Sequence, residues 1–365
     1  MKMKRFTPLI ILGCTAAFTV DATVSSGSSF GVLYIPILFL RLTMERPPSI
    51  YILLGVVFIL NGLGFILPSM STNLAEALFD RIMTVVSAVF TAVLIEEKIK
   101  SRKLNIERMI SDERMKIKAD NIEKELMIAR ALQESILPKV FPATPSVSGY
   151  GIMVPAREVG GDFFDFITID AHHIGIAIGD VTGKGVPAAF FMAIVRTLLR
   201  TIALLKLPPA ECLARLNDQI AAENDQEMFV TIFYGILDKR TGEFTYSNGG
   251  HNQPALLTRK GDVTFLPETG GVLIGMIGGL NYNQCTIRLS RGDCVFLYTD
   301  GVVEAFNSSQ EQFSEKNLIS ALRLSSNLPT NKLVHAVLNS VKSFECGVPQ
   351  SDDITCVCLR YLWES

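Results

Sequence analysis

Histidine is scarce in this chain of 365 residues: there are four, and none forms a His-x-x-x-His pair. The seven cysteines include no Cys-x-x-Cys. Zinc sites draw on those residues at those spacings, so zinc chemistry finds no support here. Cys356 and Cys358 would share one face of one strand, too close along the chain for a bridge, and the remaining cysteines are scattered, which reads as reduced cytoplasmic thiols. A surplus of positive charge is also missing. Lys and Arg total 34 against 36 Asp and Glu, a net charge of −2 with a pI near 6.1, so nothing calls for a nucleic-acid partner. No kinase, cyclase or DNA-binding motif is visible. The run Gly179-Asp180-Val181-Thr182-Gly183-Lys184-Gly185 lacks the Gly-x-x-x-x-Gly-Lys-Ser/Thr spacing that wraps a nucleotide's phosphates.

What the chain does have is carboxylates in repeated settings: Gly160-Gly161-Asp162, Gly179-Asp180-Val181-Thr182-Gly183, Tyr298-Thr299-Asp300-Gly301 and Ser351-Asp352-Asp353-Ile354-Thr355. Each adjoins a β-branched or aromatic run and a glycine or small polar residue, the pattern of an acid placed at a strand end where the backbone turns. Ionised carboxylates brought within a few Å repel one another and must protonate or find a cation. Oxygen donors without a matching His or Cys set favour Mg²⁺ or Mn²⁺.

These motifs carry a family resemblance. Pro155-Ala-Arg157-Glu-Val-Gly160-Gly161-Asp162-Phe-Phe-Asp165, then Gly179 to Gly185, then Asn248-Gly-Gly-His251-Asn-Gln-Pro, then Tyr298-Thr-Asp300-Gly301-Val-Val-Glu304-Ala, then Asp352-Asp353-Ile-Thr355 resemble, in order, the SpoIIE/RsbU branch of the metal-dependent type 2C Ser/Thr protein phosphatases. The likeness covers roughly residues 130 to 362.

The resemblance implies an α+β fold, an α-β-β-α sandwich with metals in a cleft at one end of the sheets. Strand-like runs at 173–179, 229–237, 243–247, 293–299 and 354–361, and helical runs at 186–205, 209–223 and 330–344, agree with it independently. It further implies that Asp162, Asp180, the carbonyl of Val181, Asp300 and Asp352 hold two Mn²⁺ or Mg²⁺ ions, whose bridging water attacks a phosphoserine or phosphothreonine. Arg157 has the planar fork that suits phosphate, and an ordinary surface salt bridge is the competing reading. The resemblance favours Asp352 over Asp353 as ligand, leaving Asp353 to hydrogen-bond the turn. Asp165 reads equally as an ordinary strand or turn acid, His251 as a loop residue bonded to backbone, and Lys184 as a solvated loop charge. Gly183 and Gly185 suit a tight turn ahead of a helix starting near Pro187.

The first quarter is a different polymer. Apolar stretches at roughly 6–24, 31–44, 50–67 and 78–95 match about four bilayer crossings at ~20 residues each. Lys2, Lys4 and Arg5 precede the first, and Arg41 and Arg46 separate the second from the third, while the loops near 25–30 and 68–77 carry no Lys or Arg. That bias places both termini, and the catalytic domain, in the cytoplasm, with residues 1–95 as an all-α multi-pass domain in the inner (cytoplasmic) membrane. A signal peptide is the rival for the first stretch, but further spans follow it and no convincing cleavage site does.

Residues 96–137 contain no Gly or Pro and are rich in Glu, Lys, Arg, Ile and Met. Ile99 and Ile106, and Ile122, Ala129 and Ile136, stand at heptad spacing, with a slip around 112–120. A coiled-coil linker that pairs two copies into a homodimer is expected, against a single solvated helix. Residues 138–365 are then the phosphatase domain.

Two functions follow. One is a membrane-anchored phosphatase acting on a phosphorylated regulatory protein, by family analogy an anti-sigma-factor antagonist. The other is a catalytically silent phosphatase fold that binds a phosphoprotein without turnover. Acids at all four motif positions favour the first.

Overall fold

A computed structural model describes residues 49–66 and 74–363. The apolar stretches at 6–24 and 31–44 lie outside the described residues. The chain divides into two compact units between Asp120 and Asn121.

In the first unit the third apolar stretch forms helix α1, Ile50–Ile66. The fourth stretch and the linker are not separate elements: helix α2 runs from Leu74 to Ile136 as one piece of 63 residues. No Gly or Pro interrupts that span, so no backbone group is lost or misdirected along it, and the heptad slip at 112–120 leaves the helix continuous. Leu104, Ile106, Met109, Ile117 and Ile122 stand exposed along α2.

The second unit is the sandwich. Strands β1 (Val147–Val154), β10 (Ile354–Tyr361), β9 (Cys294–Tyr298), β6 (Ala255–Leu257) and β7 (Val263–Phe265) form one sheet in that order. The other runs β2 (Phe163–Thr168), β3 (His173–Val181), β4 (Val230–Asp238), β5 (Glu243–Gly249) and β8 (Cys285–Arg288). All pairings within both sheets are antiparallel. Phe164, Ile176, Ile178 and Phe233 of one sheet pack against Val295, Leu297, Val357 and Leu359 of the other, forming the inner core.

Each outer face is covered by helices. Helices α3 (Val186–Ala203) and α4 (Pro209–Ala221) lay Met192, Val195, Leu199, Leu213 and Leu216 on Phe163, Ala177 and Ile232. After the short helix α5 (Asp300–Val303), helices α6 (Ser314–Leu324) and α7 (Thr330–Glu345) cover Phe296, Tyr298, Cys356 and Cys358 in the same way. Sheets covered on both faces explain why β9 and most of β3 and β10 are buried at every position rather than at alternate ones. Among the described residues, the helix long and apolar enough to cross a membrane is Val186–Ala203, and it is this packed layer of the sandwich.

One polar tie runs through the α3 layer. Asp165, on the helix-facing side of β2 and 1% exposed, takes both Nη1 contacts of Arg200 at 2.7 and 2.8 Å and an ion pair with Arg196 at 2.9 Å. Removing this carboxylate leaves Arg196, itself 9% exposed, without its counter-charge. Asp165→Ala is therefore expected to lower stability by about 3–5 kcal/mol, measured by urea unfolding. A loss under about 1 kcal/mol would show that the arginines find other partners.

Candidate active site

The site forms where strand ends of the two sheets meet. In the β2–β3 pair Phe163 faces Gly179, so one step further along, Asp162 stands opposite Asp180. Across the sandwich, β9 and β10 pair Tyr298 with Cys356, and beyond them Thr299 donates its N–H to the Thr355 carbonyl. Asp300 begins α5 immediately after β9, and Asp352 and Asp353 immediately precede β10.

Asp162 is the most enclosed of these acids, at 1% exposure. Its Oδ2 accepts hydrogen bonds from the Thr355 hydroxyl at 2.6 Å and the Thr299 hydroxyl at 2.8 Å, both from the opposite sheet. Burial, then the charges of Asp180 and Asp353, nevertheless push its carboxyl well above the usual range. Asp180 rises to about 7 through burial and the neighbouring Asp300 and Asp352. Asp300 is also raised, by burial, then Asp352 and Glu304. Four acids drawn from all four motifs thus feel one another electrostatically.

The two acids of the Asp352-Asp353 pair face different surroundings. Asp353 accepts the Ala156 N–H at 2.8 Å through Oδ1 and the Gly161 N–H at 2.7 Å through Oδ2, so it organises the loop before Asp162. Asp352 is 40% exposed and its Oδ2 lies 3.0 Å from the Lys184 ammonium, which also donates to the Ser351 carbonyl at 2.8 Å. Lys184 is thus paired with a candidate ligand rather than free in solvent. Gly183 and Gly185, at φ of 90° and 80°, turn the chain through the left-handed region around it and lead into α3, with Pro187 in the first turn.

The Val181 carbonyl faces the same loop. A Cβ on Gly161 would sit 2.8 Å from it, so only glycine permits the approach. Arg157 follows Ala156 on this loop, is exposed, and has no ion-pair partner among the described residues. The surface salt bridge expected as its competing role is not formed.

His251 is not poised for proton transfer. It is buried, its Nε2–H donates to the Tyr298 carbonyl at 3.2 Å, and its Nδ1 accepts from the Thr231 hydroxyl at 2.9 Å. Burial depresses its pKa to about 4, which keeps the ring neutral. It ties β4, opposite Asp180, to the end of β9. Thr299 and Thr355 escaped the sequence reading as site residues although both stand inside its motifs. Gln133 on α2 also reaches the site, and no local sequence signal marks it.

A family model for Stage II sporulation protein E (SpoIIE) matches residues 170–362 of this chain. Phosphoserine phosphatase RsbU of Bacillus subtilis strain 168 is 30% identical over 241 residues, which is 66% of this chain and 70% of RsbU. The structure of the RsbU and RsbW domains of Rv1364c from Mycobacterium tuberculosis matches with a TM-score of 0.54 at 25% identity, over 61% of this chain and 62% of that one. The SiaA-PP2C domain of Pseudomonas aeruginosa has the same fold, with a TM-score of 0.59 at 20% identity over 66% of this chain and 97% of that one. With the family matched over more than half of its length and the two-sheet sandwich in place, this chain belongs to the SpoIIE family and carries its PP2C-type serine/threonine phosphatase domain.

Proposed function

We propose that this chain is a membrane-anchored, metal-dependent phosphatase that hydrolyses phosphoserine or phosphothreonine on a small regulatory protein of the anti-sigma-factor-antagonist kind. The observation that carries the reading is the convergence of Asp162, Asp180, Asp300 and Asp352 from four separate motifs on one end of the sandwich. The match to a phosphoserine phosphatase, RsbU, supports the substrate class.

The donor set fits two Mn²⁺ or Mg²⁺ ions. All the candidate ligands are oxygens, including the Val181 carbonyl that Gly161 leaves open, and the carboxyls of Asp162, Asp180 and Asp300 are raised in pKa by burial first and by one another's charge second. Among the described residues no three His, Cys, Asp or Glu side chains stand close enough together to form a ready-made ion site, so the fit rests on donor chemistry and on the placing of the four acids at one end of the sandwich rather than on a preformed cage. When bound, the ions would supply a water acidified enough to attack phosphorus at neutral pH and positive charge against the phosphoryl oxygens.

The chain's own groups do the remaining work. Arg157, exposed and without an ion-pair partner among the described residues, grips the substrate phosphate through its fork. Asp162 is held by the hydroxyls of Thr299 and Thr355, and the raised carboxyls of Asp162 and Asp180 would give up any proton they hold when a cation binds. Lys184 releases Asp352 for ligation. His251, with both nitrogens engaged, serves as a neutral brace between the sheets.

The rest of the arrangement belongs to the same proposal. Residues 1–95 form about four membrane spans, 96–137 a coiled-coil linker and 138–365 the phosphatase domain on the cytoplasmic side of the inner membrane. The exposed apolar residues along α2 favour a parallel homodimer through the linker over a solitary helix.

Phosphate release from an aryl phosphate and from a phosphoserine peptide is expected with Mn²⁺ or Mg²⁺ and to vanish with chelator. Asp180→Ala and Asp300→Ala should each lose at least about 100-fold in turnover, since metal charge contributes several kcal/mol to such transition states. Metal-saturated protein that binds phosphopeptide without releasing phosphate would instead identify a silent binding module.

A pH dependence follows from Asp180. Its carboxyl is raised in the folded state from 3.8 to about 7, so the folded metal-free protein binds more protons than the unfolded chain across that window. Stability of the metal-free protein should therefore fall as pH rises from 3.8 to about 7, and saturating Mn²⁺ should abolish the fall. Thermal melts with and without Mn²⁺ check this; a metal-free profile that rises through the window would contradict it. For the linker, Ile122→Asp with Ile136→Asp should convert the dimer to a monomer by light scattering, and an unchanged mass would rule out pairing through this helix.

A further inference from the structure

Gln133 sits on the last turn of α2, where its carbonyl accepts the Leu137 N–H and closes the helix. Its neighbours Leu132, Glu134 and Ser135 are exposed, yet Gln133 is 6% exposed. Both polar atoms of its amide turn to one residue 27 positions away: Nε2 donates to the Gly160 carbonyl at 2.6 Å, and Oε1 accepts the Gly160 N–H at 3.1 Å. Only a primary amide offers a donor and an acceptor side by side in this way; a carboxylate lacks the donor and a hydroxyl lacks the reach.

Gly160 cannot be held by a side chain of its own. A Cβ there would lie 2.6 Å from the Met153 methyl and would collide with the Asp353 carboxylate. Gly161 is equally bare, pressed against the Val181 carbonyl and tied by its N–H to Asp353. The backbone that delivers Asp162 is therefore fixed by two outside groups, Gln133 on one side and Asp353 on the other. Two consecutive glycines are the most conformationally free residues a chain has, so without those clamps the position of Asp162 against Asp180 would be poorly defined.

We propose that Gln133 is a positioning residue of the metal site: by pairing with both backbone polar atoms of Gly160 it sets the Gly160-Gly161-Asp162 backbone, and with it the carboxylate that a cation requires. This rests on the metal-site reading above. It extends the functional unit upstream of residue 138, into the last turn of the linker helix. It also adds a route by which the conformation of that helix end bears on catalysis, through a pair of hydrogen bonds to the metal loop itself.

The test uses the full-length protein and two readouts. Mn²⁺ binding is followed by the electron paramagnetic resonance signal of free Mn²⁺, and hydrogen exchange of the segment 156–163 is followed without metal. The variants are Gln133→Met, which keeps the volume and loses the amide, and Arg130→Ala, which breaks an exposed pair with Glu134 on the same turn. Gln133→Met is expected to weaken Mn²⁺ affinity by about 10- to 100-fold, the range for removing a group that orients a metal ligand. It should also speed exchange at Gly160, while Arg130→Ala matches wild type in both. Wild-type Mn²⁺ affinity in folded Gln133→Met, with only the melting temperature lowered, would reduce Gln133 to a structural tie and overturn the proposal. Should that variant fail to fold, Gln133→Asn carries the test, because it keeps the polarity and is one methylene too short to reach Gly160. Wild-type affinity in Gln133→Asn would overturn the proposal equally. If wild-type protein itself binds no Mn²⁺, the metal reading falls and this inference with it; if wild type binds and the variants bind as well, this inference alone fails.

Discussion

The burial of Asp162 is the constraint on which the rest of the site depends. A carboxylate at 1% exposure, facing Asp180 and near Asp353, is a costly thing to place inside a protein. The fold meets that cost by bringing donors from the other sheet. Thr299 and Thr355 lie beside each other beyond the β9–β10 pairing, and their hydroxyls converge on one oxygen of Asp162. The sandwich therefore does more than supply a core. Its two sheets must hold their ends in register with each other for a single side chain to be satisfied, and the apolar contacts between Ile176, Phe233, Leu297 and Val357 maintain that register. Burial of this kind gives pKa values far from ordinary ones, and such values mark places where binding a cation relieves repulsion.

Much of this fold was legible in the sequence because both sheets are covered on both faces. Continuous apolar runs such as Ile174 to Ile178 and Cys294 to Tyr298 announce buried strands, and the motifs after them announce the acids. The elements the sequence hid have physical reasons for hiding. In β1, Gly149 and Gly151 depress strand propensity, and both are needed: a Cβ at either would sit 2.9 or 2.6 Å from the rings of Phe166 and Phe164, which lie over the bare backbone. β6, β7 and β8 run three or four residues, too short for any periodicity to show. The expected boundary between a fourth apolar stretch and the linker is invisible in the backbone for the opposite reason. Composition changes there from apolar to charged, but helix propensity does not, so α2 passes through unbroken.

The site shows the same division. The acids were legible because each stands in a distinctive local setting, whereas Thr299 and Thr355 act only once two strands are paired, and Gln133 acts on a backbone group that carries no residue identity at all. A side chain whose partner is a peptide leaves no complementary residue elsewhere in the sequence to suggest it. Arg157 illustrates the converse. Sequence alone left it between phosphate ligand and surface salt bridge; the absence of an ion-pair partner among the described residues leaves its fork available.

Asp352 and Asp353 show how neighbouring acids acquire different tasks. The second turns inward to the Ala156 and Gly161 amides and the first outward to Lys184. The inward acid already has two backbone donors, and drawing it toward a cation would strip both from the loop that carries Asp162. The outward acid accepts the Asp353 N–H through Oδ1 at 2.9 Å, and its Oδ2 pairs with a half-exposed ammonium, an interaction that solvent screens. Ligation at Oδ2 of Asp352 would exchange the Lys184 ammonium for another cation, whereas ligation by Asp353 would take the Ala156 and Gly161 amides from their acceptor. The geometry of the loop thus gives two chemically identical groups different work, and it leaves the more exposed one the freer to change partner.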